Sequence, residues 1–162
     1  MYENAITLDG LDLRLLGILQ LDAGLSNQEL ARRAHVSPAT SLRRVRRLLD
    51  LGVVRRRVAL LDTERIGPCL QLICEVTLDR QGQEHAEAFE ASAVAHPAVQ
   101  QCYRVSPGPD FVLVAAARDM PTWTAVVATL FTQHANVRNV KTFFVTRRAK
   151  FETSWPLPPA VP

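Results

Sequence analysis

The sequence lacks any uninterrupted apolar run that approaches the length of a membrane-spanning helix. Residues 1–4 contain no basic stretch that leads into an apolar signal core. Only 3 cysteines occur among 162 residues, and they form no obvious disulfide framework. These absences argue against a membrane protein and against a disulfide-rich secreted domain. We therefore expect a soluble, cytoplasmic protein that does not bind membranes.

Side chains at the spacing of a metal site or a catalytic centre are also missing. Cys69 and Cys74 are an odd number of positions apart on a predicted strand, so their side chains should point to opposite faces. Cys102 has no cysteine or histidine neighbour at ligand spacing. We expect the three cysteines to be small core residues, and we predict no metal and no cofactor. Because the sequence contains no nucleophile elbow and no phosphate-binding glycine loop, we also predict that the protein is not an enzyme.

The charge of the chain is unevenly distributed. Residues 1–61 carry ten basic and six acidic side chains, whereas residues 62–162 carry nine and ten. Nine arginines lie within residues 32–57, against a single acid, Asp50. A basic N-terminal part followed by a nearly neutral remainder indicates that the N-terminal part contacts a polyanion.

The arginines coincide with the pattern of a helix–turn–helix. Ser26 and Glu29 have the spacing of a capping box, which would start a short helix. A tight turn is expected at His35, after which Ser37 caps a second helix whose first residue is proline. Gly52 should end this helix in a left-handed conformation. Two short helices in this order are typical of a nucleic-acid reader.

The second of these helices should carry the binding face. At about 100° per residue, Leu42, Val45 and Leu49 form one apolar stripe. A merely solvated face would mix charges of both signs, but this helix holds four arginines in five residues. Arginine can hold guanine or phosphate with two hydrogen bonds. The predicted contacts to double-stranded DNA are Ser37, Thr40, Ser41, Arg43, Arg44, Arg47, Arg55, Arg56 and Arg57.

The periodicity predicts an α+β protein with three segments. A first helix from Asp9 completes a three-helix, helix–turn–helix domain with an extended linker over residues 1–61. Residues 62–151 follow as a second domain. Residues 152–162 are a proline-rich tail, which is either loose or an extended arm held by Trp155.

The second domain has the element order β-α-β-β-α-β. This order is that of a ferredoxin-like sandwich, in which two helices cover one face of a four-stranded antiparallel sheet. The other face would stay open and apolar, which favours a homodimer. The predicted elements are residues 70–78, 83–95, 99–105, 111–117, 120–133 and 137–145.

Several motifs occur in an order and spacing that together resemble a known family. They are Leu8-Asp9-x-x-Asp12, Ser26-Asn27-x-Glu29-Leu30-Ala31, Val36-Ser37-Pro38-x-Thr40-x-Leu42-Arg43-Arg44-Val45, Gly52-Val53-Val54, Ala59-x-Leu61-Asp62, Ile66-Gly67 and Asp119-Met120. From about residue 8 to about residue 151, the chain resembles the Lrp/AsnC family of leucine-responsive, feast/famine regulators.

The resemblance implies a helix–turn–helix domain joined by a linker to a ferredoxin-like, RAM-type domain that binds an effector. It also implies dimers that often assemble into octamers, an amino acid as effector, and control of genes for amino-acid metabolism or transport. We therefore predict a sequence-specific transcriptional regulator that responds to a small molecule. Arginine contacts to phosphate would serve an architectural, DNA-compacting protein as well, so that alternative stays open.

One loop departs from the family pattern. Family members read Gly-Asp-x-Asp/Asn-Tyr/Phe between the second and third strands, whereas this chain has Pro107-Gly108-Pro109 before Asp110-Phe111. The first acidic position of the pattern is therefore Gly108. Either the effector differs from a simple amino acid, or the protein responds little to an effector. The candidate effector contacts are Ser106, Gly108, Asp110 and Phe111.

Overall fold

A computed structural model describes residues 6–80, 82–133 and 136–159, without the side chain of Glu64. Residues 1–4, on which the expectation of a missing signal peptide rests, lie outside this part. The chain divides into two compact units. The head consists of the described residues up to Leu60 together with those from Lys150, and the sheet unit is Leu61–Ala149. The tail, which we predicted as a separate segment, is thus grouped with the head.

The head contains the helices α1 (Gly10–Leu19), α2 (Asn27–Arg33) and α3 (Pro38–Asp50). A reciprocal capping box starts α1, in which Asp9 is the N-cap and Asp12 the third residue. At α2, the hydroxyl of Ser26 accepts a hydrogen bond from the backbone of Glu29, as predicted. The reciprocal half of this box is missing, because the Glu29 carboxylate binds arginines of its own helix.

The ends of α3 and the core of the head follow the sequence pattern. Ser37 caps α3 and Gly52 follows it with φ +71°, which confirms both predictions. His35 occupies the tight turn before α3 with φ +56°. The buried core cluster joins all three helices and consists of Leu15, Leu19, Leu30, Ala34 and Val45.

The tail is attached to α1 through its backbone. Trp155 donates its backbone N–H to Oε1 of Gln20 (2.9 Å), and Nε2 of Gln20 donates to the carbonyl of Trp155 (3.2 Å). Leu157 lies beside Gly17 of the same helix. The indole ring of Trp155 is 78% exposed, so it is the backbone of this residue, and not its ring, that holds the tail.

The sheet unit has the predicted ferredoxin-like topology. Its four strands are antiparallel in the order β2-β3-β1-β4. The segment before the first strand contains a single helical turn, α4 (Thr63–Ile66). The remaining elements are β1 (Leu70–Leu78), α5 (Gln83–Ala95), β2 (Val99–Arg104), β3 (Phe111–Ala117), α6 (Met120–Val127) with a π-helical continuation (Ala128–Thr132), and β4 (Val137–Phe144).

The core of the sheet unit lies on one face of the sheet. Alternate residues of β1 and β3 are buried against α5 and α6, as the period-2 pattern predicts. On the other face, Ile73 and Phe143 are exposed. Val94 of α5 is exposed.

The cysteines behave differently from one another. Burial raises the pKa of the Cys74 thiol, which belongs to the core, and also that of Cys102. Cys69 is exposed, so the expectation of a core residue is wrong at this position. Among the residues that the structure describes, no group of three or more His, Cys, Asp or Glu is arranged for a metal ion. None of the described helices is long and apolar enough to cross a membrane.

Candidate nucleic-acid interface and effector loop

The buried side of α3 differs from the predicted stripe. Ser41, Val45 and Leu48 face the interior of the head. Leu42 and Leu49, which we placed in the stripe, are 42% and 38% exposed. The buried line therefore lies about 60–100° around the helix from the predicted one, a shift that spacing alone did not resolve. Since Ser41 is fully buried, the prediction that it contacts DNA is wrong.

Two predicted DNA contacts, Arg44 and Arg47, point toward α1. Nη1 of Arg44 donates to the carboxylates of Asp9 (2.6 Å) and Asp12 (3.2 Å). Nη1 of Arg47 donates to Asp12 (2.8 Å). Arg44 is half-buried and Arg47 is exposed, and both guanidinium groups are bound by carboxylates at the start of α1. Both residues are therefore partners of α1, a role that we did not predict, and their contact with DNA stays a prediction.

The outward side of α3 carries Arg43 and Arg46, which are exposed. Arg46 is not among the DNA contacts predicted from the sequence. At the start of the helix, the hydroxyls of Ser37 and Thr40 are hydrogen-bonded to each other (2.9 Å). The exposed hydroxyl of Ser37 and the two arginines thus lie on the solvent side of one helix.

Further positive charge follows α3 in the linker. Arg55, Arg56 and Arg57 are exposed, as predicted for residues that flank a groove. They line a cavity of about 430 Å³ with α1 and the tail. Within the described part of the chain, neither these three arginines nor Arg43 and Arg46 form an ion pair. Their charge is therefore available to a phosphate backbone.

The arginines of α2 are in a different electrostatic state. Glu29 accepts hydrogen bonds from Arg32 (2.6 Å) and Arg33 (2.8 Å). These bonds lower the pKa of Glu29 from its ordinary value of 4.5 to about 2. Since the carboxylate is ionised at neutral pH, it partly cancels the charge of α2. The uncompensated charge of the head is concentrated on α3 and the linker.

The candidate effector residues lie in the connection between β2 and β3. Ser106 and Gly108 are exposed there, and Gly108 has φ +130°, a conformation that a side chain would strain. The Asp110 carboxylate accepts a hydrogen bond from the backbone N–H of Leu78 (2.7 Å), which ties the loop to the end of β1. Phe111 is fully buried.

The burial of Phe111 corrects its assignment. Its ring packs against that of Phe89 on α5 with a centroid distance of 5.0 Å. A side chain in this position is part of the core and does not line an effector site. The remaining candidates are therefore Ser106, Gly108 and Asp110, which lie before the strand begins.

Comparisons with known proteins relate both units to one group. A family model described as the Lrp/AsnC ligand binding domain matches residues 71–155, and one described as winged helix-turn-helix DNA-binding matches residues 8–55. The chain is 34% identical over 145 residues to a leucine-responsive regulatory protein of Rhizobium meliloti, covering 90% of this chain and 93% of that protein. It is 29% identical to the Bkd operon transcriptional regulator of Pseudomonas aeruginosa, covering 93% and 98% of the two chains.

A solved structure supports the same relationship. A transcriptional regulator of Neisseria meningitidis, crystallised as a complex with L-Met, superposes with a TM-score of 0.83 at 34% identity. The superposition covers 93% of this chain and 97% of that one. The similarity therefore extends over both the head and the sheet unit.

Proposed function

Because this chain belongs to the Lrp/AsnC family of DNA-binding transcriptional regulators, we propose that α3 reads duplex DNA with Arg43 and Arg46 and that the sheet unit binds an amino acid. Ser37 and Thr40 would contact phosphates at the start of α3. Arg55, Arg56 and Arg57 would contact the backbone beside the groove. Catalysis has no part in this proposal.

The observation that carries the proposal is the distribution of engaged and unengaged arginines. Arg44 and Arg47 are bound by carboxylates, whereas Arg43 and Arg46 face solvent on the same helix without an ion pair among the described residues. Exposed, unpaired guanidinium groups on one side of a helix are suited to the phosphates and guanine edges of a major groove.

The effector part of the proposal rests on two further observations. The Neisseria regulator, to which this chain is similar along its length, was crystallised with L-Met. In this chain the Asp110 carboxylate lies at the loop and has acceptor capacity beyond its bond to Leu78, so it could receive an ammonium group. With glycine at position 108, the second carboxylate of the family pattern is missing, and we propose weaker binding of the ammonium group than that pattern would give.

We further propose that the protein assembles into homodimers, and into octamers on the family pattern, in the cytoplasm. The exposed apolar side chains on the open face of the sheet support self-association. Sedimentation at several protein concentrations, together with cell fractionation, would test these two points.

The experiment that tests DNA recognition is fluorescence anisotropy with DNA from upstream of the protein's own gene. Scrambled DNA of equal length serves as the control, and both are measured at two salt concentrations. A preference for the upstream fragment that persists at the higher salt would support a sequence-specific regulator. Equal binding to both, lost together as salt increases, would instead indicate an architectural protein.

Single substitutions then identify the reading residues. If Arg43 or Arg46 reads a guanine, Arg43→Ala or Arg46→Ala should reduce the preference by about 1–3 kcal/mol. A residue that only contacts phosphate should weaken binding to both fragments equally. The same assay with added amino acids tests the effector, with Asp110→Asn as the variant expected to lose the response.

A further inference from the structure

We propose that Asp12 is a positioning residue that fixes the rotation of α3 and thereby determines which arginines face the DNA. This inference rests on the proposed DNA recognition by α3. The apolar contacts between α1 and α3, such as those of Leu15 and Val45, determine which side of α3 is buried, but they lack the directionality of a hydrogen bond. Hydrogen bonds between the two helices fix this rotation more closely, and Asp12 accepts two of them from α3.

Asp12 holds α3 at two points. Its carboxylate is fully buried, with the side chain 1% exposed. Oδ1 accepts from Nη1 of Arg44 (3.2 Å), and Oδ2 accepts from Nη1 of Arg47 (2.8 Å). The two arginines are three residues apart, which corresponds to about 4.5 Å along the helix axis. One carboxylate that binds two points on a helix fixes both its rotation and its height.

The start of α1 reinforces this contact. Asp9 caps α1 by accepting from the backbone N–H groups of Leu11 and Asp12, and it also accepts from Arg44 (2.6 Å). Nη2 of Arg47 donates to the carbonyl of Thr7 (3.3 Å). The capping residues of α1 and the arginines of α3 thus form one connected network, so α3 cannot rotate without breaking it.

The composition of this network favours a geometric role over a stabilising one. The Nε atom of Arg44 and the hydroxyl of Ser41 are buried without a hydrogen-bond partner among the described residues, which carries a desolvation cost. Buried ion pairs are often no more stabilising than apolar residues of similar size, and their best-attested use is to specify a register. The network therefore has the features of a register-setting contact.

Because arginines occupy neighbouring positions of α3, the rotation of this helix determines which of them face the DNA. Arg47 lies only about 40° around the helix from Arg43, so even a small rotation of α3 would change which guanidinium groups point toward the DNA. The rotated face would be equally basic, but its guanidinium groups would lie at a different height. Loss of the contact should therefore leave affinity for DNA in general and remove the preference for one sequence.

The test compares two acids that each bind two arginines. Asp12→Asn removes the charge that links α1 to α3, whereas Glu29→Gln removes a carboxylate that binds Arg32 and Arg33 within α2. Each purified full-length variant, and the wild type, selects duplexes from a randomised DNA library. Anisotropy then measures binding to the selected wild-type site and to a scrambled site, and circular dichroism verifies that the head is folded.

We expect Asp12→Asn to reduce the preference for the selected site by about tenfold while binding to scrambled DNA changes by less than about threefold. Glu29→Gln should select the wild-type site. If Asp12→Asn does not fold, Arg47→Met carries the same expectation, because it removes one of the two points, and Arg47→Lys should retain more of the preference.

The outcomes separate this inference from the proposed function. If the wild type enriches no sequence, specific recognition itself is rejected and this inference with it. If the wild type enriches a site and Asp12→Asn enriches it equally, only the positioning role is rejected. An equal loss of binding to both DNAs in Asp12→Asn would also overturn it, because that result indicates a structural role alone.

Discussion

The head and the sheet unit are held together by different kinds of interaction. Among the residues that the structure describes, the sheet unit has a core cluster of fifteen buried residues on one face of its sheet. The corresponding cluster of the head contains five, and its helices are joined in addition by the ion pairs of Asp9 and Asp12 with Arg44 and Arg47. Apolar burial is insensitive to direction, whereas hydrogen-bonded charges specify a geometry. In the head, directional contacts between side chains join the helices, whereas in the sheet unit the directional contacts are the backbone hydrogen bonds between strands.

The largest predicted loss of stability follows from a substitution in the core of the sheet unit. Phe111→Ala should lower the free energy of unfolding by about 3–5 kcal/mol, because it removes a fully buried ring and leaves a cavity beside Phe89. Urea unfolding measures the change. Val94→Ala is the matched control, since Val94 is exposed on α5 and should change stability by less than about 0.5 kcal/mol. Equal losses in both variants would contradict the assignment of Phe111 to the core.

A second prediction concerns the smaller core. Leu15→Ala should destabilise the head by about 2–5 kcal/mol. The lower end is expected, because a small cluster can relax around the missing side chain. Trp123 is buried in the sheet unit, so its emission in a Trp155→Phe background reports that unit. We expect Leu15→Ala to leave the unfolding transition reported by Trp123 unchanged. Leu21→Ala, at an exposed position, is the control and should have little effect on the stability of either unit.

The sequence predicted the local features of both units but not the contacts between distant residues. The alternation of β1 and the caps at Ser37 and Gly52 are local signals, and the structure confirms them. The pairing of Arg44 and Arg47 with α1 was not predicted, because their partners there are 32 to 35 residues away in sequence. Periodicity indicated an amphipathic helix but did not fix the side on which the arginines would find carboxylates.

The effector loop and the tail show two further limits of the sequence prediction. A family pattern placed Phe111 in the effector site, yet the strand alternation of β3 alone would have directed it to the core. For the tail, no local signal pointed to Gln20, whose bonds to Trp155 connect positions 135 residues apart. Pairs of this kind become visible only when the chain is folded.

A third prediction follows from the tail. Gln20→Ala removes both hydrogen bonds to the Trp155 backbone and should cost the head about 1–2 kcal/mol. Amide hydrogen exchange provides the measurement, and the Trp155 N–H should exchange faster by about one order of magnitude. Gln83→Ala, which removes a side-chain bond to Glu87 on α5, is the control and should leave Trp155 protected. Unchanged exchange in Gln20→Ala would mean that the tail is held elsewhere.

The smallest predicted effect is the pH dependence of the head's stability that comes from Glu29. Glu29 has a pKa of about 2 in the folded head against 4.5 ordinarily, so its pairs with Arg32 and Arg33 stabilise the head above pH 4.5. That contribution is lost as the pH falls from 4.5 toward 2, since the unfolded chain takes up the proton first. Thermal unfolding followed through the head should therefore show a shallower decline with acid in Glu29→Gln than in the wild type.

The loss of stability in acid that remains in Glu29→Gln should come in part from Asp9. The backbone bond to Asp12 and the adjacent Arg44 lower the pKa of Asp9 below its ordinary 3.8, so this residue should lose its contribution at lower pH than an unpaired aspartate. Asp9→Asn should reduce the decline that persists in Glu29→Gln, and it should also shift stability at neutral pH because it weakens the contact between α1 and α3. An acid response that neither variant alters would show that the charges of the head do not set its stability, and the contrast with the sheet unit would then rest on core size alone.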